Sequence, residues 1–290
     1  MLLATILPMN FDATQPASPD SLWHIAFYSF VTLLDPDAVA VRLRELTQSV
    51  TGSVLVAKEG INGVVAGSLS ALEAFKHALT HDAALNGYFA GMVFKASACK
   101  TAPFARMKVH CKREIVAFGV DGVSPSSYVT TESSVSPKAW RELIAQDDVV
   151  VIDNRNSFEY RLGRFKSAID PLVPNFRDFP KYVETHAPEW KAQGKRIAMY
   201  CTGGIRCEKS SAWMRDQGLE VFQLEGGILN YFQSMPDAEK DWEGECFVFD
   251  NRIALDTKLH ETETTLEQVY DGEPDGEWRI ARARRLDAAS

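Results

Sequence analysis

The 290-residue chain is 46% hydrophobic and 24% charged, the balance of a globular protein with room for about two domains. Its net charge of −8 argues against a uniformly basic nucleic-acid binder, and no apolar run is long enough for a membrane helix. The five cysteines, Cys99, Cys111, Cys201, Cys207 and Cys246, form no CxxC pair and have no histidine at ligand spacing, so neither a disulfide framework nor a metal site is expected, and a reducing cytoplasm fits best.

Met1 to Asn10 is apolar without a basic residue before it and reads as a frayed end rather than a signal peptide. His24 to Phe30 is a strand pattern. Asp35-Pro36 opens a helix with Val39, Leu43 and Leu46 on one face. Ser53 to Lys58 and Val64 to Ala66 are strands, with a turn signal at Gly60-Ile-Asn-Gly63 between them. Ser70, with Glu73 three residues on, caps a second helix that continues through Leu79. A strand at Met92 to Ala98 completes a β-α-β-β-α-β order, and Lys108 to Phe118 is a further strand. This predicts a ferredoxin-like (acylphosphatase-like) α+β domain over residues 20–118.

Residues 119–136 are rich in Gly, Pro, Ser and Thr and read as a linker. Strands and helices then alternate. Helices are expected at Ser136–Ala145, Phe158–Leu162, Ile205–Gln217 and Gly227–Met235, and strands at Val149–Asp153, Arg196–Tyr200 and Val221–Leu224. The continuous β-branched run at Val149 marks a buried parallel strand, which predicts an α/β parallel-sheet domain over residues 137–236. Residues 237–290 form an acidic extension, expected to be poorly ordered from Glu261 on.

The informative segment is Cys201-Thr-Gly-Gly-Ile-Arg206, between a buried strand and a helix. In a parallel sheet that junction lies at the carboxyl edge, where ligands bind. Gly203 and Gly204 allow backbone N–H groups to turn inward, the helix N-terminus adds positive potential, and Arg206 adds charge. Together these favour a thiolate at Cys201, which makes it the candidate nucleophile. Thr202 and Ile205 complete its loop. Cys-based phosphatases place five residues between Cys and Arg, and the four here suit a smaller group on sulfur. Cys207 reads equally as a resolving thiol or a small core residue. Asp153 and Arg155, ending the preceding strand, read as a buttress between loops or as direct substrate contacts. Glu208 and Lys209 read as ordinary first-turn charges, with Lys209 facing a phosphate as the alternative.

Asp153-x-Arg155, Glu159-x-x-x-Gly163 and the cysteine loop resemble the rhodanese domain. Cys201-Thr-Gly-Gly-Ile-Arg-Cys-Glu-Lys209, Lys58-Glu-Gly-Ile-Asn-Gly63, Lys108 to Val116 and Asn175-Phe-Arg-Asp-Phe-Pro180 are more specific. Together they resemble the bacterial rhodanese-domain tRNA uridine hydroxylases, catalogued also as tRNA 5-hydroxyuridine synthases. The resemblance implies oxygen-dependent hydroxylation of the wobble uridine at C5, with the loop cysteine at Cys201, no evident cofactor, molecular oxygen as co-substrate and the tRNA anticodon loop as partner. The chain departs from the rhodanese pattern at Gly163-Arg164-Phe165, read as a packing change. Only Cys246 lies beyond the rhodanese part, so no metal is expected there.

From Gly87 to Arg113 the chain carries Lys95, Lys100, Arg106, Lys108, Lys112 and Arg113 without an Asp or Glu, interleaved with Phe89, Phe94 and Phe104. This stretch is the candidate RNA surface, to be extended by Arg161, Arg164, Lys166, Arg177 and Lys181; a solvated strand face with core aromatics is the competing reading. Two other functions remain open on the loop alone: a sulfurtransferase that carries a persulfide on Cys201, and a redox-sensing or tRNA-binding adaptor using Cys201 and Cys207.

Overall fold

The computed structural model describes residues 22–123 and 133–288, so the expected frayed end and much of the expected linker lie outside the described residues. In the N-terminal part, β1 (Leu22–Phe30), α1 (Pro36–Leu46), β2 (Thr51–Ala57), β3 (Gly60–Gly67), α2 (Leu69–His81), β4 (Phe94–Cys99) and β5 (Met107–Cys111) form a five-stranded sheet in the order β4-β1-β3-β2-β5. The first four strands follow the ferredoxin-like order. β5 adds an edge, parallel to β2. Asp35 starts α1 by accepting the Ala38 N–H, with Pro36 in the first turn, where its missing donor costs nothing. The apolar stripes Val39–Leu43 and Leu72–Phe75–Leu79 then cover Ile25, Phe27, Val54, Val56 and Val65 on one face of the sheet. Each such side chain contributes roughly 1.5–3 kcal/mol on burial.

Three local readings change. Ser68, not Ser70, caps α2, accepting the Ala71 N–H at 3.3 Å. The chain reverses at Lys58-Glu59, and Gly60 to Gly63 lies within β3. β5 ends at Cys111; beyond it the chain leaves the sheet, Ile115 is buried and Phe118 joins the core of the second domain.

The second domain contains β6 (Ser134–Val135), α3 (Pro137–Leu143), β7 (Val149–Asp153), α4 (Ser157–Leu162), β8 (Gly163–Phe165), α5 (Phe179–Ala192), β9 (Arg196–Tyr200), α6 (Ile205–Asp216), β10 (Val221–Leu224) and α7 (Gly227–Ser234). Its parallel sheet runs β6-β10-β9-β7. β6 begins inside the stretch read as linker. α5 was not legible in the sequence: Pro188 interrupts its interior, yet Phe179, Val183, Ala187 and Trp190 bury one face.

The C-terminal extension departs most from expectation. It forms β11 (Trp242–Gly244), β12 (Cys246–Phe247) and β13 (Ala254–Leu255), and then α8 (Leu266–Val269) and α9 (Gly276–Ala288) where a poorly ordered tail was expected from Glu261 on. β11 pairs with β8, and Phe247, Val269 and Tyr270 close around Phe158. These few anchors are dilute in sequence and contiguous only in space. Among the described residues no helix is long and apolar enough to cross a membrane.

Candidate active site at the domain seam

Cys201 follows β9 at the carboxyl edge of the parallel sheet, 1% exposed. Gly204 caps α6 with a left-handed φ of +100°, open to glycine with little penalty, and its N–H donates to Cys201 Sγ at 3.1 Å. Gly203 does not take a left-handed conformation, so the inward turn rests on Gly204 alone of the pair. The Ile228 and Leu229 N–H groups, at the start of α7, bond the Cys201 and Thr202 carbonyls at 3.0 and 3.2 Å. Gly227 allows this approach, since a Cβ there would stand 2.4 Å from the Cys201 carbonyl oxygen. Thr202 Oγ1 has no hydrogen-bond partner, and Ile205 opens α6.

Burial pushes the Cys201 thiol up. Hydrogen bonding from Cys207, the Arg206 charge and the Cys207 and Gly204 N–H groups outweigh it, and the thiol is held at about 5. The other four cysteines go the opposite way, with burial lifting Cys99 to about 11 and Cys246 to about 12, and raising Cys111 and Cys207 as well. Cys207 is thus a proton-bearing donor to Cys201, fully buried and bonded by Asn154.

Arg206 does not act as an unbalanced charge. Glu159 of α4 receives it through two bonds of 2.7 and 2.8 Å, both residues being buried. Burial alone would raise the Glu159 carboxyl; the guanidinium holds it below its usual range. Asp153 and Arg155 are bonded to each other and to neighbouring elements. Arg155 bonds Asp153 at 2.9 and 2.6 Å and the Gly163 carbonyl at 2.6 Å, while the Tyr200 hydroxyl donates to Asp153 at 2.7 Å. Both are at most 1% exposed.

The N-terminal domain closes over this loop. The Tyr28 hydroxyl, from β1, donates to Glu208 at 2.9 Å and lies against Gly204. Burial and Glu208 raise the phenol, and burial likewise raises the Glu208 carboxyl. Lys95, from β4, donates to the Gly203 carbonyl and to the Gly226 carbonyl at 2.9 Å. Lys209, 1% exposed, bonds Glu59 at 2.9 Å, Glu114 at 2.7 Å and the Val116 carbonyl at 3.2 Å. Neither Glu208 nor Lys209 is an ordinary first-turn charge.

The basic stretch divides. Lys95 is taken up by the cysteine loop and corrected out of the candidate RNA surface. Lys100 lies past β4 with its backbone N–H on Glu261. Arg106, Lys108, Lys112 and Arg113 lie along or beside β5, at the opposite sheet edge, about 19 Å away across four strand spacings. Arg113 pairs with Asp121. Phe89 is buried in the core cluster and unavailable for stacking, and Phe94, partly buried, packs against that cluster. In the second domain, Arg161 pairs with Glu273 and Arg164 with Glu243, Lys166 bonds the Glu239 and Lys240 carbonyls, and Arg177 and Lys181 are exposed.

Residues 23–115 match the family described as the UPF0176 acylphosphatase like domain, and residues 136–234 match the Rhodanese-like domain. A tRNA uridine(34) hydroxylase of Bartonella bacilliformis is 44% identical over 240 residues, 82% of this chain and 76% of that protein. Proteins of the same name from Legionella pneumophila and Acinetobacter baumannii are 41% and 46% identical, over 84% and 79% of this chain and 94% and 71% of theirs. The chain belongs to the tRNA uridine(34) hydroxylase family. Three of the family-specific strings quoted above meet at the seam. From Lys58–Gly63, Glu59 accepts the Ile115 N–H at 2.7 Å and Asn62 donates to the Ile115 carbonyl at 3.0 Å, and from the cysteine string Lys209 joins them.

Sequence reasoning missed Tyr28, Glu159 as the partner of Arg206, the buried Lys209, and Phe249. The last is 63% exposed beside Arg206, whose guanidinium lies 5.9 Å from its ring. Its only sequence signal was an aromatic in a segment otherwise read as extension. Among the described residues there is no group of three or more His, Cys, Asp or Glu side chains that could hold a metal.

Proposed function

We propose that this chain hydroxylates the wobble uridine of tRNA at C5, with molecular oxygen as co-substrate and Cys201 as nucleophile. The observation that carries the reading is a single low-titrating cysteine, held at about 5, in a family whose named members are tRNA uridine(34) hydroxylases. A uracil ring is an electron-poor enone. A thiolate adding to C6 turns C5 into an enolate carbon, able to take oxygen. Overall, a C5–H and one O2 with two electrons and two protons give C5–OH and water. The electrons come from an external two-electron reductant of the thiol class. The thiol of Cys207 keeps Cys201 ionised in the resting loop. The exposure of Phe249 beside Arg206 supports stacking on an unpaired base, such as the splayed bases of an anticodon loop offer. Such a tRNA substrate puts the chain in the cytoplasm.

The test is mass spectrometry of tRNA nucleosides from cells lacking the gene, complemented with the wild type or with Cys201→Ala. The expected result is that 5-hydroxyuridine and its derivatives disappear and return with the wild type only. Isotopically heavy oxygen gas should label the new hydroxyl with purified protein; label arriving from water instead would overturn the oxygen-dependent reading. The rhodanese-like match favours sulfur transfer as a second reading. Turnover of thiosulfate and cyanide without any tRNA hydroxylation would establish it.

A further inference from the structure

Lys95 stands where a phosphate-binding lysine would be useless. Its side chain is half-buried and lies 5.8 Å from the Tyr28 ring, and its ammonium donates to two carbonyls, Gly203 and Gly226. Those carbonyls belong to the two loops that bracket Cys201: Gly203 is in the cysteine loop, and Gly226 caps α7, whose first N–H groups bond the Cys201 and Thr202 carbonyls. The Gly203 carbonyl and the Gly204 N–H are two ends of one peptide plane. In a trans peptide they point in opposite directions and turn as a unit. Fixing the oxygen on Lys95 therefore fixes the hydrogen on Cys201 Sγ, 3.1 Å from the Gly204 nitrogen. A cation on the oxygen also polarises the amide and makes its N–H a stronger donor.

We infer that Lys95 is a positioning residue for Cys201. It acts through the Gly203–Gly204 peptide, so the reactivity of a cysteine in the rhodanese-like domain is set by the docked acylphosphatase-like domain. The groups facing Cys201 are Arg206, Cys207 and Glu208 from α6, Tyr28 from β1 and Lys95 from β4. Lys95 is the only one of these that reaches the loop from the other domain with a positive charge. Burial lowers its own pKa, while the Cys201 thiolate, Glu208 and Glu225 oppose that loss, as expected if ammonium and thiolate support one another.

The inference is independent of what Cys201 attacks, and its test needs no substrate. The Cys201 titration is read on the full-length protein from thiolate ultraviolet absorbance, as the difference between each protein and the same protein carrying Cys201→Ala. The wild type should titrate at about 5. Lys95→Met should move the midpoint up by about one unit, a roughly tenfold loss of thiolate on the acid side. Lys95→Gln keeps an amide NH2 as donor but no charge and should shift it by less. Lys100→Met, in the same basic stretch but outside the loop, should not move it. Thermal melting is followed in parallel, and if Lys95→Met does not fold, Lys95→Gln decides. An unchanged midpoint in a folded Lys95 variant, or an equal shift with Lys100→Met, would overturn the inference.

Discussion

The cysteine loop and the seam above it are built from the same kinds of groups over different chain distances. In the loop, strand end, Cys201, Gly204 and helix start follow one another, and spacing alone implies a thiolate. At the seam, Lys95 reaches a carbonyl 108 residues away, Lys209 a carboxylate 150 residues away, and Tyr28 a carboxylate 180 residues away. A lysine in a basic run and a lysine holding an active-site loop look identical until the partner is known. A charge within a motif can be interpreted locally; a charge at a domain boundary takes its role from the other domain.

The largest expected effect breaks the loop from within. Glu159→Gln leaves the buried Arg206 guanidinium without its counter-charge, and removing one partner of a buried pair costs about 3–5 kcal/mol. The Cys201 midpoint should move down in this variant, since the guanidinium then acts on the thiolate undiminished. That sign is opposite to the one expected for Lys95→Met. Denaturant unfolding and the thiolate titration check the two parts, and a stability within error of wild type would show that the substituted amide and Arg206 repack without penalty.

The parallel sheet, the order of the first four strands and the strand-to-helix loop around Cys201 were legible, because each rests on periodicity or on residues adjacent in sequence. α5 was not, since Pro180 and Pro188 within fourteen residues obscure a helical pattern whose buried face shows only after packing. Glu159 was visible as part of a motif, but its role needed the approach of α4 to α6. The ordered extension was hidden by its acidity. Its anchors, Phe247, Tyr270 and the Asp250–Arg252 pair, are few, and each is completed by another segment.

That extension also provides the next effect. His24 of β1 is 5% exposed, shares Ser97 with Arg252, and titrates at about 4 because burial lowers it, with the Arg252 charge adding to that. From the ordinary 6.5 down to about 4, the unfolded chain binds a proton that the folded one refuses. Stability is therefore unaffected by this group above pH 6.5 and falls as pH drops through that window, by about 3 kcal/mol in all. Chemical unfolding at a series of pH values should show a shallower acid decline for His24→Gln than for wild type. Identical slopes would mean that His24 is protonated in the native state.

The smallest effect separates the two lysine populations by salt. If Lys112 at the β5 edge neutralises a tRNA phosphate, Lys112→Ala removes one released counterion, and the slope of log affinity against log salt becomes shallower by about one. Lys95, engaged by two carbonyls, releases none, so Lys95→Met should leave that slope as it is even where it impairs Cys201. Affinity at one salt concentration cannot make this distinction, because a loosened seam weakens binding too. The slope can, since it counts ions rather than contacts. A reduced slope for Lys95→Met would return that residue to the RNA surface, and an unchanged slope for Lys112→Ala would move the phosphate track off the β5 edge, toward the exposed Arg177 and Lys181 of the second domain.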